Sequence, residues 1–330
     1  MTKSPTPARI LVVGGAGYIG SVCARVLADA GCELVVLDDL STGHRGAVPG
    51  ELVVGDVRDR ALLRSIFADR QFDAVMHFAA KSIVGRSVTE PLPCIDTNVS
   101  GSIALLTEML EAGVRNLVFS STCAIYGTPK ALPLTEDHPF APVSPYGESK
   151  AMVERILELS RQQHGLRVSC LRYFNAAGAT PDGQLGEAHH PETHLIPLAI
   201  EAALGKRPPL KLFGTDYPTR DGTCVRDYVH VLDLADAHWR GLQRLLEGDP
   251  GKAYNVGTGV GTTVREVLEA VGEAVGTPVP YAEADRRDGD PAELWADPSL
   301  IRQELGWTPK RTNIRDMVGD ATRWVRSPRY

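Results

Sequence analysis

A glycine-rich turn directly after the first apolar run constrains the fold of this chain more than any other feature. The run Ile10–Val13 has the character of a buried strand, and Gly14, Gly17 and Gly20 follow it at the start of a helical pattern. Glycines at this spacing permit a tight turn, close approach of the backbone to a pyrophosphate, and close packing of a helix on a strand. The turn therefore predicts a dinucleotide-binding unit, in which N–H groups at the helix start face the phosphates. An ordinary loop is the alternative for the glycines taken alone.

An acidic residue supports the dinucleotide interpretation. Asp38 ends the second apolar run, 18 residues after Gly20. An acid at this point accepts a hydrogen bond from the adenosine 2′-OH and repels a 2′-phosphate. The pattern predicts NAD rather than NADP as the cofactor; a solvated turn at Asp38–Asp39 is the alternative.

Strand-like and helix-like segments alternate through the first half of the chain. Apolar strands joined by helical crossovers predict a parallel sheet covered on both faces, and right-handed crossovers make it doubly wound. The strand-like runs are Ile10–Val13, Glu33–Leu37, Leu52–Val54, Ala74–His77, Asn116–Ser120 and Arg167–Arg172, and helix-like segments lie near Ile19–Ala30, Arg60–Asp69, Thr97–Ala112 and Tyr146–His164. The predicted fold class is α/β, with a Rossmann-like domain.

The character of the sequence changes after Asn175. Residues 176–224 are rich in Gly, Pro and polar residues, and the alternation returns in Val225–Arg244 and Ala253–Val256. We therefore predict a second, smaller, discontinuous α/β domain for the substrate. The NAD-binding domain would comprise residues 1–175 with segments near 225–256, and the substrate domain residues 176–224 and 257–330.

Composition and charge exclude other classes of partner. The net charge of the 330 residues is −6, so no global basic field attracts nucleic acid or anionic lipid. No apolar run approaches the ~20 residues of a membrane span, and the first residues lack the apolar stretch of a signal peptide. The six cysteines are scattered, without a C-x-x-C pair, which is typical of a reducing compartment. We expect a cytoplasmic protein without nucleic-acid or membrane partners.

Tyr146 and Lys150 form a candidate catalytic pair. They are four residues apart at the start of a predicted helix, so phenol and ammonium share one helical face. A nearby cation favours the phenolate, and such a Tyr is a general acid/base for a hydroxyl. A chance pair on a solvated helix face is the alternative. Ser120-Ser121-Thr122 end the fifth strand, at the predicted topological switch, where Thr122 is expected to hydrogen-bond the reacting oxygen; simple turn chemistry is the alternative.

These features together resemble the extended short-chain dehydrogenase/reductase family. The resemblance rests on the glycine turn, Asp38, Asp56, the hydroxyl-rich strand end, Tyr146 and Lys150. Phe78-Ala79-Ala80 end the fourth strand with small residues where a flat cofactor could lie, and a plain buried strand end is the alternative. The cofactor-binding residues implied are Gly14, Gly17, Tyr18, Ile19, Gly20, Asp38, Asp39, Ser41, Gly43, Asp56, Val57, Phe78, Ala79, Ala80, Ser82, Tyr146, Lys150, Tyr173 and Phe174.

Several longer strings in the second half resemble the UDP-glucose 4-epimerase family. They are Arg172–Gly178, Glu192–Pro197, Phe213–Thr219, Asp221–His230 and Arg286–Asp290. By this resemblance Arg226 and Arg287 would neutralise a diphosphate, for which guanidinium donors are suited; surface ion pairs with Asp227 and Asp288 are the alternative. The substrate-binding residues implied are Thr122, Asn175, His194, Leu195, Leu212, Phe213, Arg226, Arg287, Asp290 and Leu294.

The resemblance implies an activity and a partner. It implies reversible, NAD-dependent epimerisation at C4 of a UDP-hexose through a 4-keto intermediate, with tightly bound NAD and a homodimeric state. The family often has Asn at the position of His194 and Lys at that of Ser82. Leu294 stands where other members set tolerance of N-acetyl groups, so N-acetylhexosamine, pentose and uronate substrates stay open, as does a non-catalytic NAD sensor. A dehydratase would need an acid/base pair where Cys123 and Ala124 stand.

Acidic and histidine residues cluster ahead of the Leu195 segment. They are Asp182, Glu187, His189, His190, Glu192 and His194. Their spacing fits no metal signature that we can defend, and the implied chemistry needs no metal. We therefore interpret the cluster as a polar loop and predict no metal.

Overall fold

The computed structural model describes residues 7–287 and 289–330. The chain forms two compact units. The first unit contains the residues up to Ser121, Ser144–Leu171 and His238–Ala253. The second unit contains Thr122–Val143, Arg172–Ala237 and Tyr254–Tyr330.

The strands, in chain order, are β1 Arg9–Val13, β2 Glu33–Asp38, β3 Glu51–Val54, β4 Ala74–His77, β5 Asn116–Thr122, β6 Arg167–Tyr173, β7 Asn175–Ala177, β8 Leu210–Phe213, β9 Val225–His230, β10 Ala253–Val256, β11 Gly261–Thr263, β12 Tyr281–Ala284 and β13 Glu293–Leu294. The helices are α1 Tyr18–Asp29, α2 Arg60–Asp69, α3 Val84–Thr89, α4 Pro91–Ile95, α5 Gly101–Glu111, α6 Pro145–His164, α7 Leu195–Ala203, α8 Val231–Leu246, α9 Val264–Val275, α10 Ser299–Leu305 and α11 Ile314–Arg326.

The largest sheet has seven strands in the order β10-β6-β5-β4-β1-β2-β3. The pairings of β1 with β2 and β4, of β2 with β3, and of β4 with β5 are parallel. Helices follow β1, β3, β4 and β5 along the chain, which confirms the predicted doubly wound α/β class. The strand order reverses between β1 and β4, so the predicted switch at the end of β5 is wrong by one strand.

The sheet strands are apolar because both of their faces are covered. Residues 10–13 of β1 are fully buried, and Val12 lies between Val36 and Met76 in the register. Side chains such as Leu105, Phe119 and Leu157 complete the core.

Helix α6, which carries the predicted catalytic pair, has defined ends. The Oγ of Ser144 accepts a hydrogen bond from the Gly147 N–H at 3.2 Å, and Pro145 occupies the first turn. Gly165 ends the helix with a φ of 65°, a left-handed conformation that glycine adopts without strain. The start of α6 is therefore set by local sequence.

The second unit has smaller sheets and a helical core of its own. Strand β9 pairs with β7, β11 and β13, while β8 pairs with β12. Helices α7, α9 and α11 pack around Ile200, Val267 and Met317. Because β9 pairs in this small sheet, Val225–Ala237 belongs to the second unit, whereas the sequence prediction grouped these residues with the NAD-binding domain. The predicted ligand-binding roles of the two domains stay a prediction.

Among the described residues, no helix is long and apolar enough to cross a membrane.

Candidate active site

The glycine turn closes the end of β1 against the end of β4. The N–H groups of Phe78 and Ala79 donate to the carbonyl of Val13 at 2.7 and 3.0 Å. Gly14 has a φ of +80°, and a Cβ there would lie 2.3 Å from the Ala79 nitrogen. A Cβ on Gly20 would lie 2.2 Å from the Gly14 carbonyl oxygen. Both positions therefore need glycine for packing alone.

Gly17 has a different environment. It is the N-cap of α1, with a φ of −78° and no side-chain capping bond. A Cβ there would have only the Gly14 carbonyl oxygen as a neighbour, at 3.6 Å. The space in front of this helix start suits a phosphate, because helix N-termini present N–H donors and a positive dipole end.

Asp38 lies beside this turn. Its carboxylate accepts hydrogen bonds from the N–H groups of Ala16 and Leu40, each at 2.9 Å. Burial raises the pKa of Asp38, and the two backbone donors oppose that effect. The loop that follows is held down by the His44 N–H, which donates to the Ala16 carbonyl at 2.9 Å. The carboxylate is thus fixed in orientation at the end of β2.

Lys150 is buried in the first unit, with 2% of its surface exposed. Its Nζ donates to the carbonyl of Ser120 at 2.7 Å and lies 4.7 Å from the centre of the Phe119 ring. Burial lowers its pKa to about 8. Tyr146 is half-buried one helical turn earlier, and its backbone N–H donates to the Ser87 Oγ at 3.2 Å. Helix α6 therefore presents the phenol and the ammonium from one face.

Asn98 is a positioning residue that the sequence analysis missed. It lies in a π-helical turn, Asp96–Ser100, and is 2% exposed. Its amide accepts from the Lys81 N–H at 2.7 Å and donates to the Lys81 carbonyl at 3.2 Å and to the Ser149 Oγ at 2.9 Å. It thereby ties the segment after β4 to the helix of Tyr146 and Lys150. π-Turns are frequent at functional sites, but this one has no sequence signature that we recognise.

Other residues implied as cofactor ligands occupy varied positions in the first unit. Asp56 pairs with Arg58 at 2.5 Å, and this contact lowers the pKa of the carboxyl. Val57 is buried, and a Cβ on Gly101 would lie 2.6 Å from it. Tyr18 is buried, Ile19, Gly43, Phe78, Ala79 and Ala80 are half-buried, and Asp39, Ser41 and Ser82 are exposed. Their roles stay predictions.

Thr122 and Cys123 begin the second unit. The Oγ1 of Thr122 accepts a hydrogen bond from the Ala124 N–H at 3.2 Å. Cys123 is buried, and burial raises the pKa of its thiol to about 12. The thiol therefore stays protonated near neutral pH, and Ala124 carries no proton. Neither residue offers a base next to Thr122.

The second unit brings several predicted nucleotide ligands together. Arg226 pairs with Asp290, and β13 sets Leu294 beside Arg226 in the strand register. The Arg287 guanidinium lies 4.0 Å from the centre of the Phe213 ring. The Asp290 N–H donates to the Arg287 carbonyl at 3.3 Å.

The alternative role for Arg226 and Arg287 was ion pairing with the neighbouring Asp227 and Asp288. The Asp227 carboxylate accepts from the N–H groups of Thr258 and Gly259 at 2.9 and 3.0 Å, so its oxygens stabilise a loop. Asp288 lies outside the described residues. The Arg226 guanidinium pairs with Asp290.

The remaining predicted ligands also belong to the second unit. Asn175 begins β7 opposite Tyr228, and Tyr173 and Phe174 are buried. Leu212 is buried in β8, and Leu195 is half-buried at the first position of α7. The predicted roles of these residues in binding the cofactor or the UDP-sugar stay predictions.

His194 precedes α7 and contacts two carboxylates. Its Nδ1 lies 2.8 Å from Glu187 and 3.1 Å from Glu192. Burial disfavours the charged imidazole, but the two carboxylates raise the pKa of His194 to about 10. His189 shares both partners, which raise its pKa to about 9 against the effect of burial.

Comparison with known proteins identifies the family of this chain. The sequence model of the NAD dependent epimerase/dehydratase family matches residues 10–257, which include the glycine turn, Asp38, Tyr146 and Lys150.

The chain belongs to the NAD dependent epimerase/dehydratase family.

Relatives within this family cover nearly the whole chain. The UDP-glucose 4-epimerase of Rhizobium meliloti is 52% identical over 302 residues, 91% of this chain and 92% of the relative. The structure of UDP-glucose 4-epimerase from Brucella ovis in complex with NAD superposes with a TM-score of 0.94 at 44% identity, over 96% of this chain and 98% of that one. The structure from Bifidobacterium longum in complex with NAD+ and UDP gives a TM-score of 0.92 at 36% identity, over 97% and 99%.

Proposed function

We propose that this protein catalyses the reversible, NAD-dependent epimerisation at C4 of a UDP-hexose, between UDP-glucose and UDP-galactose. The 52% identity to a UDP-glucose 4-epimerase over 91% of the chain carries the proposal. The buried Lys150 on the helix of Tyr146 supports it, because that arrangement is suited to general acid/base work on a hydroxyl.

The first unit fits NAD. Gly17 leaves space at an uncapped helix start, and Asp38 offers an oriented acceptor for an adenosine 2′-OH. Lys150 and the segment Phe78–Ala80 are proposed to hold the nicotinamide end. When bound there, NAD would supply the hydride acceptor and donor that inversion at C4 of the sugar needs.

Tyr146 is the proposed general base and acid. Its phenolate takes the proton of the 4-OH as the alcohol is oxidised to the 4-keto sugar, and returns that proton when the alcohol is restored. Lys150, in its ammonium form, stabilises the phenolate by charge. Thr122 donates a hydrogen bond that steadies the reacting oxygen.

The second unit is proposed to hold the UDP moiety. Arg226 and Arg287 are the cations for the diphosphate, and the Phe213 ring under Arg287 restrains that guanidinium. Asp290, which pairs with Arg226, is proposed to face the ribose. Leu195, Leu212 and Phe213 supply apolar surface for uridine. Anchoring through UDP leaves the sugar free to turn, as inversion requires.

A dehydratase is disfavoured within the same family. Elimination of water from the sugar needs a second acid/base group beside the threonine. Cys123 is buried with a pKa raised to about 12, and Ala124 has no ionisable group. The protein therefore lacks a base at these two positions.

One experiment tests the proposal and its siblings. The purified protein is incubated separately with UDP-galactose, UDP-N-acetylgalactosamine and UDP-xylose, without added NAD, and the products are identified. We expect UDP-glucose from the first substrate. Conversion of only one of the others would identify a sibling epimerase. Retained NAD with no epimer from any substrate would overturn the proposal in favour of an NAD sensor.

Asp38 offers a test of cofactor choice. In Asp38→Asn, an amide replaces the carboxylate that accepts two backbone N–H groups. Hydrogen bonds to charged groups are worth about 1.5–3 kcal/mol, so we expect NAD affinity to fall about 10- to 100-fold. The ratio of the NADP and NAD dissociation constants should decrease, because the carboxylate charge that repels a 2′-phosphate is lost. Calorimetric titration of NAD-free protein measures both constants, with the exposed Asp29→Asn as control. An unchanged preference would contradict the role of Asp38.

A homodimer is also proposed. Large apolar side chains are exposed on the first unit at Val88, Leu92, Ile103 and Leu159; Leu92 is 78% exposed. A contiguous apolar patch formed by these side chains would mark an interaction surface. Light scattering after size-exclusion chromatography measures the mass; a monomer at micromolar concentration would contradict the proposal.

We propose a cytoplasmic location as well. The six cysteines are free thiols in the structure, which agrees with a reducing compartment. Cell fractionation followed by immunodetection tests it, and recovery in a secreted fraction would contradict it.

A further inference from the structure

Four side chains ahead of α7 converge on one point in the second unit. They are Glu187, His189, Glu192 and His194, and one ligand atom from each lies within 4.8 Å of the others. The spacing of these residues in the sequence matches no metal signature and predicts a polar loop. The structure selects four of the six polar residues: Asp182 instead accepts from Thr180 and Gln184, and His190 is exposed.

The separations suit a small coordination sphere. His194 Nδ1 lies 2.8 and 3.1 Å from the oxygens of Glu187 and Glu192, and His189 Nδ1 lies 3.3 and 3.8 Å from them. Zinc binds imidazole nitrogen and carboxylate oxygen at about 2.0–2.2 Å, so tetrahedral ligand atoms lie about 3.3–3.5 Å apart. These four distances bracket this value, and every separation among the four ligand atoms is at most 4.8 Å. Both histidines approach through the same ring atom, Nδ1.

Three of the four side chains at the convergence point are largely shielded from water, and that of His194 is 47% exposed. The Glu187 and Glu192 side chains are each 10% exposed, and that of His189 is 19% exposed. The Nδ1 of His189 is buried, and among the described residues no atom makes a well-directed hydrogen bond to it. Two carboxylates brought together out of water require positive charge between them. A divalent cation with two neutral imidazoles would balance their charge.

Neighbouring contacts hold the donors in place. The Glu192 carboxylate accepts from the N–H groups of Thr193 and His194 at 2.6 and 2.8 Å. The indole N–H of Trp324 donates to the Glu187 carbonyl at 2.8 Å. Such outer contacts orient ligands in metal sites. They also link this segment to α11 and to the start of α7.

We propose that Glu187, His189, Glu192 and His194 form a binding site for one divalent transition-metal ion of the zinc class. Imidazole and carboxylate donors together suit zinc and its neighbours, whereas magnesium prefers oxygen ligands alone. The ion is structural: it fixes the segment 187–194 against the start of α7. The ion takes no part in the proposed reaction. A result that contradicts the metal site therefore does not contradict the proposed epimerase activity, and the reverse also holds.

Metal content and affinity test the site directly. Tag-free protein is treated with a chelator, dialysed and titrated with Zn²⁺ by calorimetry. We expect one ion per chain for the wild type and for His190→Ala, which removes the adjacent exposed histidine. The affinity should fall about 100-fold or more in His189→Ala. A thermal-unfolding midpoint that rises with Zn²⁺ in the wild type, but not in His189→Ala, would support the site.

Cobalt gives a readout that needs no variant. Co²⁺ added to the chelator-treated wild type should produce the visible absorption of a four-coordinate site, and Zn²⁺ should abolish it. Equal Zn²⁺ affinity in the wild type and His189→Ala, or no cobalt absorption, would overturn the proposal. The four side chains would then be an ion-paired cluster held by protons alone.

Discussion

Replacement of Tyr146 by Phe is expected to lower turnover of UDP-galactose by about 10³-fold or more, since general acid/base groups contribute about 10²–10⁴. The phenylalanine ring keeps the shape of the side chain but has no proton to exchange with the 4-OH. The surrounding structure should persist, because Lys150 is held by the Ser120 carbonyl and the start of α6 is capped by Ser144. Steady-state assays give the turnover number, and calorimetry gives the affinity for UDP.

The variant has to retain its ligands for this result to report on chemistry. We expect normal NAD content and UDP affinity in Tyr146→Phe. Tyr281→Phe is the matched control, because Tyr281 is exposed and its hydroxyl contacts Arg265. Its turnover should equal that of the wild type. More than a tenth of wild-type turnover in Tyr146→Phe would refute the assignment of Tyr146 as the acid/base.

Replacement of Gly20 by Ala should destabilise the fold by about 3 kcal/mol, since overpacking costs about 1–3 kcal/mol and occasionally more. The new Cβ would lie 2.2 Å from the Gly14 carbonyl oxygen and 3.0 Å from the Gly15 Cα. These are backbone atoms, so relief of the contact requires α1 to move away from β1. Urea unfolding of NAD-free protein measures the loss.

The Gly17→Ala substitution distinguishes a glycine needed for ligand binding from one needed for packing. Its Cβ would meet only one atom, at 3.6 Å, and its φ of −78° suits any residue. We expect unchanged unfolding of the NAD-free protein but weaker NAD binding, because the methyl group occupies space at the helix start. Equal destabilisation by the two substitutions would show that this division of the glycines is incorrect. Normal NAD affinity in Gly17→Ala would remove Gly17 from the cofactor site.

The sequence predicted the first half of the fold well because its signals are local. Strand periodicity, helix length and the glycine turn each depend on neighbouring residues, and each predicted strand and helix of this half is present. The short helices α3 and α4 were not predicted. Asp38 was predicted from its position at the end of β2. In contrast, Asn98 has no local signature, because its partner Ser149 is 51 residues away.

The second half was harder to predict for the same reason. The segment that contains β9 was grouped with the NAD-binding domain because the strand–helix alternation returns there, but β9 pairs with β7, β11 and β13. A sequence pattern of this kind predicts a strand but does not predict which other strands it pairs with. The loop before α7 likewise gave no metal signature, although its four donors converge once the chain folds.

By itself, the sequence determined that Tyr146 and Lys150 share a helical face, and that a glycine turn and Asp38 follow the first two strands. These relations span one turn or one strand end, and helix geometry and strand ends set them directly. Only the tertiary structure decided that Lys150 reaches the Ser120 carbonyl, 30 residues away, and that Arg226 meets Asp290, 64 residues away. Such pairings depend on strand order and crossover paths, which side-chain spacing along the chain does not encode.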